Sequence, residues 1–225
     1  MNALARCAAA LALASGLWAP ASARPLVLLD PGHGGPDGGV QAAGFREADF
    51  VLDLARRVEP LLKARGADVR LTRDSDEALS LSARVDLANA LQPLAMVSLH
   101  VNAAFQPLAR GTRLFVPAET AVDLPEAPLW GQAAGMHAAA SHTLGLCLAK
   151  AFGVGGPRPV QSLKLGLFRG LGVPACLVEL EFATHPEDLA LLKNDSQVQA
   201  LAEKLADGIA AYVLPPPAEA PGAAH

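Results

Sequence analysis

The sequence predicts an α/β fold, a single-domain three-layer sandwich in which helices flank a largely parallel sheet. Short apolar runs of β type alternate with longer segments in which apolar residues recur at helical spacing. Such alternation is typical of βαβ units, which build parallel sheets. The length of 225 residues fits one ordinary domain.

Each element has its own signal in the chain. Apolar runs predict strands at 26–29, 68–72, 96–99, 112–116 and 175–179. Helical periodicity predicts helices at 47–64, 80–91, 137–152 and 196–213. Pro60 is expected to kink or divide the first helix. Segments 117–135 and 153–159 are rich in Pro and Gly and are predicted to be loops.

The two ends of the chain do not resemble folded protein. Arg6 precedes a small, apolar run at 7–19, and Ala21-Ser22-Ala23 forms an A-x-A cleavage site, so 1–23 is predicted to be a signal peptide. An uncleaved anchor is the alternative, although the run is shorter than the roughly 20 residues that span a bilayer. The catalytic domain is expected at 24–214 and a disordered tail at 215–225. We therefore expect an exported protein, periplasmic or secreted, with no membrane span in its mature form.

The net charge indicates which partners are disfavoured, and the cysteines indicate whether a disulfide is expected. The formal net charge is −4 and no basic run is present, which argues against nucleic acid and anionic membrane surfaces as partners. Cys147 and Cys176 remain after signal cleavage. Their apolar surroundings favour free thiols, and one disulfide in an oxidising compartment is the alternative.

Chemically active side chains stand at or just past predicted strand ends. His33 follows the first strand within Asp-Pro-Gly-His-Gly-Gly, His100 follows the strand at 96–99, and Glu179 ends the strand at 175–179. Because sites in parallel sheets gather at the carboxyl ends of strands, we expect these side chains to meet. Glu47 opens the first helix and supplies a further carboxylate.

Two histidines and a carboxylate from separate elements are a typical donor set for catalytic zinc, with a fourth position left for water. We therefore predict His33, Glu47 and His100 as metal ligands. A second carboxylate beside the metal can move the proton of that water to a leaving amine. Taken singly, a loop histidine, a helix-start glutamate and a core histidine each have structural explanations. Glu179 is harder to explain, because an acid at the end of an apolar strand needs a partner.

The motifs, taken in order, resemble the zinc-dependent N-acetylmuramoyl-L-alanine amidase family, which acts in bacterial cell separation and autolysis. They lie at 28–38, 47, 69–73, 81–89, 97–102 and 174–182. The resemblance implies that His33, Glu47 and His100 hold Zn²⁺ and that Glu179 is the catalytic carboxylate. It also implies peptidoglycan as substrate, cut between N-acetylmuramic acid and L-alanine. Asp30 and Asn102 are hypothesised to orient the ligands.

Two positions depart from the family pattern. Glu181 stands where the family usually has glycine, and strand periodicity places it on the face of Glu179. Either the two carboxylates pair and one pKa rises, or Glu181 points to solvent, which we favour. His185 stands near a family asparagine and is predicted to be a surface residue, with substrate contact as the alternative. His137 and His142 are also predicted to lie on the surface.

Several alternatives stay open. The chain is either an enzyme or a non-catalytic peptidoglycan-binding module of the same fold, and the enzyme is either an amidase or a zinc peptidase acting within the stem peptide. Manganese or cobalt suits the same ligands. Some relatives block their site with an inserted helix, but 117–141 is too short and Pro-rich for one, even though it contains Glu119 and Glu126. A protein activator is a further partner that the resemblance allows.

Overall fold

The computed structural model describes residues 23–106, 108–118 and 135–214. The strands are β1 Leu26–Pro31, β2 Gln41–Ala42, β3 Phe45–Arg46, β4 Asp68–Leu71, β5 Ala95–Asn102, β6 Arg113–Pro117, β7 Gln161–Leu163 and β8 Ala175–Phe182. The α-helices are α1 Glu47–Arg65, α2 Leu81–Leu91, α3 Ala138–Phe152, α4 Pro186–Leu192 and α5 Asp195–Val213, with a 3₁₀ turn at Gly166–Phe168. The predicted signal peptide up to residue 22, the loop residues 119–134 and the tail 215–225 lie outside the described residues.

The central sheet has the strand order β4-β1-β5-β8-β6-β7. Strand β1 pairs in parallel with β4 and β5, and β5 pairs in parallel with β8. Strand β6 is antiparallel to β8, and β7 is parallel to β6. The predicted three-layer sandwich with a largely parallel sheet is therefore confirmed, and the carboxyl ends of β1, β5 and β8 meet at one edge.

The two faces of the sheet are covered differently. On the first face, α1, α3 and α5 pack on side chains such as Leu29, Val97 and Val178. On the second face, α2 and the 3₁₀ turn pack on a smaller cluster that includes Met96 and Leu177. Because strand side chains alternate between faces, His100 on β5 and Glu179 on β8 also lie on the second face. There the apolar pattern gives way to polar side chains, which form the site.

Helix α1 runs without interruption through Pro60. The expectation that this proline divides the helix is wrong. Pro60 lies on the exposed side of the helix, while its neighbours Val58 and Leu62 are fully buried and hold both halves against the core. Gly66 ends the helix with φ 104°, a left-handed conformation that glycine adopts without a Cβ clash.

The structure adds elements that the sequence analysis did not predict. Strands β2, β3 and β7 are only two or three residues long, too short for a periodic pattern. Helix α4 did carry a signal, because Pro186 occupies its first turn together with Glu187 and Asp188.

Cys147 and Cys176 are both free thiols, as favoured from the sequence. Within the described residues, no helix combines the length and apolarity needed to cross a membrane.

Candidate metal centre

The loop after β1 presents His33 in an unusual backbone conformation. His33 has φ 56°, in the left-handed region, and its Nδ1 lies 2.8 Å from Oδ2 of Asp37. An ionised carboxylate only accepts hydrogen bonds, so Nδ1 carries a proton and Nε2 is the nitrogen left to bind a metal. Asp37 therefore orients this imidazole with Nε2 directed to the centre of the site, a role that the sequence analysis did not assign.

Glu47 is the first residue of α1, and only 1% of its surface is exposed. The amide of Val40 donates to its Oε2 at 2.7 Å, and the amide of Val101 donates to its Oε1 at 2.9 Å. Oε1 also lies 3.0 Å from Nε2 of His33 and 3.1 Å from Nδ1 of His100. The carboxylate is thus held on both sides by backbone amides and faces two imidazoles.

The three predicted ligand residues converge. Nε2 of His33 and Nδ1 of His100 are 3.1 Å apart, so the three donor atoms form a nearly equilateral triangle with Oε1 of Glu47. Donors at 2.0–2.2 Å from a tetrahedral ion are about 3.3–3.6 Å apart. The triangle is only a few tenths of an ångström smaller than that. The donor set and its spacing both fit Zn²⁺.

The electrostatics of the triangle favour positive charge. Burial opposes ionisation of Glu47, but hydrogen bonds from His100, His33 and two backbone amides outweigh it and lower its pKa to about 2. The hydrogen bond with Glu47 raises the pKa of His33 to about 9, against the opposing effect of burial. A site that holds a carboxylate ionised and draws a proton onto an imidazole also stabilises a cation.

Two glycines let the ligands come together. A Cβ on Gly32 would lie 2.2 Å from Cε1 of His100, and a Cβ on Gly39 would lie 2.4 Å from Oε2 of Glu47. Both distances are far below van der Waals contact. No other residue fits at either position without displacing a ligand.

Glu179 stands beside the triangle on β8, in register with His100 on β5. Its Oε2 is buried and has no hydrogen-bond partner among the described residues. Burial raises the pKa of Glu179 above the usual range of a glutamate. The triangle of donor atoms and Glu179 lie in the same open cleft, which has a volume of about 440 Å³. The cleft is lined by His33, Gly39, Val40, Glu47, His100, Val101, Asn102, Ala103 and Glu179. A carboxylate in this state needs a proton or a water molecule as partner.

Beneath the cleft, Asp30 and Arg84 form a buried ion pair. Asp30 also accepts hydrogen bonds from Thr72 and Ser98, each at 2.7 Å. Arg84 donates at 2.7 Å to the carbonyl oxygen of His33. Asp30 therefore reaches the ligand loop through Arg84, at the backbone of His33, and makes no hydrogen bond to a ligand side chain among the described residues.

A second arginine joins the ligand loop to α1. Arg73 is fully buried and donates to the carbonyl oxygens of Pro31 at 3.0 Å, Gly32 at 2.7 Å and Ala48 at 2.8 Å. These contacts fix the loop that carries His33 against the helix turn that carries Glu47. Sequence reasoning missed this role, because an arginine after a strand carries no signal of what its side chain will meet.

Asn102 lines the cleft, and its carbonyl oxygen accepts from the amide of Ala183. Among the described residues its side chain makes no hydrogen bond to the three ligands. His142 is exposed and His137 half-buried, and neither belongs to the site. Glu119 and Glu126 lie outside the described residues.

The predictions for Glu181 and His185 are both wrong. A bulge in β8 gives Glu181 φ 37° and turns its side chain away from Glu179. It is partly buried, accepts from Oγ1 of Thr112 at 3.3 Å and faces Asp188 instead of solvent. The side chain of His185 is only 13% exposed, and its Nδ1 lies 3.6 Å from Oδ1 of Asp188. The bulge breaks the two-residue periodicity on which the sequence argument relied.

We expect the Glu181→Gln variant to be more stable than the wild type near neutral pH. Burial first, and then the charge of Asp188, raise the pKa of Glu181. An acid with a raised pKa in the folded state lowers the free energy of unfolding as pH rises above its unfolded pKa of about 4.3. The advantage of the variant should therefore be absent near pH 4 and grow toward pH 7.

Urea denaturation at several pH values measures this difference. Glu203→Gln, on the exposed side of α5, is the matched control and should show a much smaller dependence on pH. An equal stability of Glu181→Gln and wild type across the whole range would contradict the expectation.

Comparisons with known proteins agree with this geometry. The sequence profile of the family described as N-acetylmuramoyl-L-alanine amidase matches residues 27–211. The endolysin of Bacillus phage SPP1 is 34% identical over 186 residues, which cover 82% of this chain and 65% of the endolysin. The N-acetylmuramoyl-L-alanine amidase AmiA of Escherichia coli is 28% identical, covering 83% of this chain and 75% of AmiA.

Structural similarity covers a comparable share of the chain. N-acetylmuramoyl-L-alanine amidase AmiC2 of Nostoc punctiforme superposes with a TM-score of 0.68 at 27% identity, covering 84% of this chain and 96% of AmiC2. The chain spans just under two thirds of the phage endolysin, so it corresponds to part of that relative. Because the family profile matches most of its length, the chain belongs to the N-acetylmuramoyl-L-alanine amidase family.

Proposed function

We propose that this chain hydrolyses the amide bond between N-acetylmuramic acid and the L-alanine of the peptidoglycan stem peptide, for cell-wall remodelling or daughter-cell separation. Zn²⁺ would be held by Nε2 of His33, Oε1 of Glu47 and Nδ1 of His100. When bound, zinc polarises a substrate carbonyl and lowers the pKa of a bound water to roughly 7. The observation that carries this proposal is a triangle of metal-donor atoms 3.0–3.1 Å apart. Beside it lies a buried carboxylate oxygen of Glu179 that has no hydrogen-bond partner among the described residues.

Proton transfer and the orientation of a ligand are assigned to separate residues. Glu179 takes the proton of the attacking water and delivers it to the nitrogen of the departing L-alanine. Its raised pKa suits both steps, because a general acid–base group works best when its pKa approaches the working pH. Asp37 keeps Nδ1 of His33 protonated, so that Nε2 is the nitrogen that can bind the metal.

Mass spectrometry of digested peptidoglycan tests the function. Purified protein containing residues 24–225 should release stem peptides with a free L-alanine amino terminus and leave the glycan strands intact. New termini within the stem peptide would instead identify a zinc peptidase. Binding to the cell wall without any cleavage would identify a non-catalytic module.

Removal of the metal should abolish hydrolysis. Without a cation, the triangle binds a proton in its place and no activated water remains. Dialysis against a chelator followed by titration with Zn²⁺ measures this, with manganese and cobalt as parallel additions. Activity that survives complete chelation would overturn the metal assignment.

We also propose that 1–23 is a cleaved signal peptide, 24–214 the catalytic domain and 215–225 a disordered tail. The A-x-A site ending at Ala23 and the composition of the tail support these bounds. Export to the periplasm or beyond would bring the enzyme to its substrate. Amino-terminal sequencing of the exported protein should begin at Arg24, and an intact Met1 would contradict cleavage.

A further inference from the structure

Three side chains form a row across three neighbouring strands. His100 on β5 is in register with Glu179 on β8, and Glu179 is in register with Arg113 on β6. Register partners in adjacent strands project from the same face of a sheet, about 4.8 Å apart along the row. Arg113 is therefore the next side chain beyond Glu179, on the side away from the metal ligands.

The packing along β6 independently places Arg113 on the face of the cleft. Leu114 and Val116 belong to the core of the first face. Phe115 packs with Leu177 in the cluster of the second face. Arg113, two positions before Phe115, lies on that second face by the alternation of strand side chains, as the cleft residues do.

Among the described residues, the guanidinium of Arg113 has no ion-pair or hydrogen-bond partner. It is exposed, and its one contact within the described part of the chain is with the ring of Phe182, whose centre is 5.9 Å from Cζ. Three other arginines near the cleft are already engaged in hydrogen bonds. Arg46, Arg73 and Arg84 each donate to backbone carbonyl oxygens of the ligand loop. The guanidinium of Arg113 is therefore available to a ligand and is held over an aromatic face.

The position of the leaving nitrogen indicates which part of the substrate lies beside Arg113. Glu179 protonates the nitrogen of L-alanine, so the departing stem peptide leaves on the side of Glu179. An extended peptide advances about 3.3–3.6 Å per residue. A carboxylate one or two residues beyond L-alanine therefore falls one strand further along the row, at Arg113.

We propose that Arg113 binds a carboxylate of the stem peptide and gives the enzyme a preference for stems with free carboxylates over amidated ones. This inference rests on the function proposed above. Guanidinium and carboxylate form paired, charge-assisted hydrogen bonds that a primary amide cannot reproduce. Arg113 acts on substrate binding, so its loss should appear in KM and leave kcat nearly unchanged.

The test compares a muramoyl peptide that has free carboxylates with the same peptide in fully amidated form. Wild type should favour the free form by about tenfold in kcat/KM, and the preference should shrink at high salt. In Arg113→Gln the preference should vanish through a rise of about tenfold in KM for the free form alone. Arg113→Lys should restore part of it, because the charge returns without the planar fork.

Arg70→Gln is the matched control, since Arg70 is an exposed arginine on β4, at the opposite end of the sheet. It should keep the wild-type preference. An Arg113→Gln variant that retains the preference, or that loses activity equally on both substrates, would overturn the inference. If wild type cleaves neither substrate, the proposed function fails, and this inference fails with it.

Discussion

The Glu179→Gln variant is expected to lose about 10²- to 10⁴-fold in kcat while it keeps its fold and its zinc affinity. Glutamine has nearly the same shape, but it neither accepts nor returns the proton of the attacking water. Steady-state hydrolysis of a soluble muramoyl peptide, with zinc content measured on the same sample, checks this. A variant with full zinc occupancy and near wild-type kcat would exclude Glu179 as the acid–base residue.

The same substitution should stabilise the metal-free protein at neutral pH. Burial raises the pKa of Glu179, and its Oε2 has no partner among the described residues. Above the unfolded pKa, the folded wild type therefore either binds a proton or keeps a poorly solvated charge, and both lower its stability. The Tm of Glu179→Gln should exceed that of wild type at pH 7 and match it near pH 4. Equal values at both pH values would show that the carboxylate is well solvated.

The Arg84→Met variant is expected to lose about 3–5 kcal/mol in the free energy of unfolding. Arg84 and Asp30 are both almost fully buried, so removal of the guanidinium leaves the carboxylate of Asp30 without its counter-charge. The carbonyl oxygen of His33 loses a donor at the same time. Zinc affinity should therefore also fall, by about 10- to 100-fold, which is typical when support for a ligand is removed.

Urea denaturation and zinc competition with a chelator measure these two effects. The double variant Asp30→Asn with Arg84→Met should recover part of the stability, because no buried charge remains unpaired. Arg65→Met is the surface control, since Arg65 pairs with the exposed Asp207 and should lose at most about 1 kcal/mol. A loss below that of the control would show that the buried pair is not needed.

The long elements were predictable because each carries its own periodicity. Helix α1 was expected at 47–64 and spans Glu47–Arg65, and α5 was expected at 196–213 and spans Asp195–Val213. Strands β5 and β8 were predicted too short. Strand β5 continues to Asn102 in the cleft, and β8 continues past Glu179 to Phe182 through a bulge. The two-residue strands β2 and β3 depend on contacts with each other, which a local pattern does not contain.

The sequence by itself determined the fold class and the identity of the residues that converge. His33 follows β1, and His100 and Glu179 lie near the carboxyl ends of β5 and β8, which share one edge of a parallel sheet. Only the tertiary structure decided that Glu181 faces Asp188, through a bulge in β8. It alone also placed Arg113 beside Glu179. Strand register, bulges and buried ion pairs join residues far apart in the chain, and their geometry is set by packing of the whole domain instead of by local sequence.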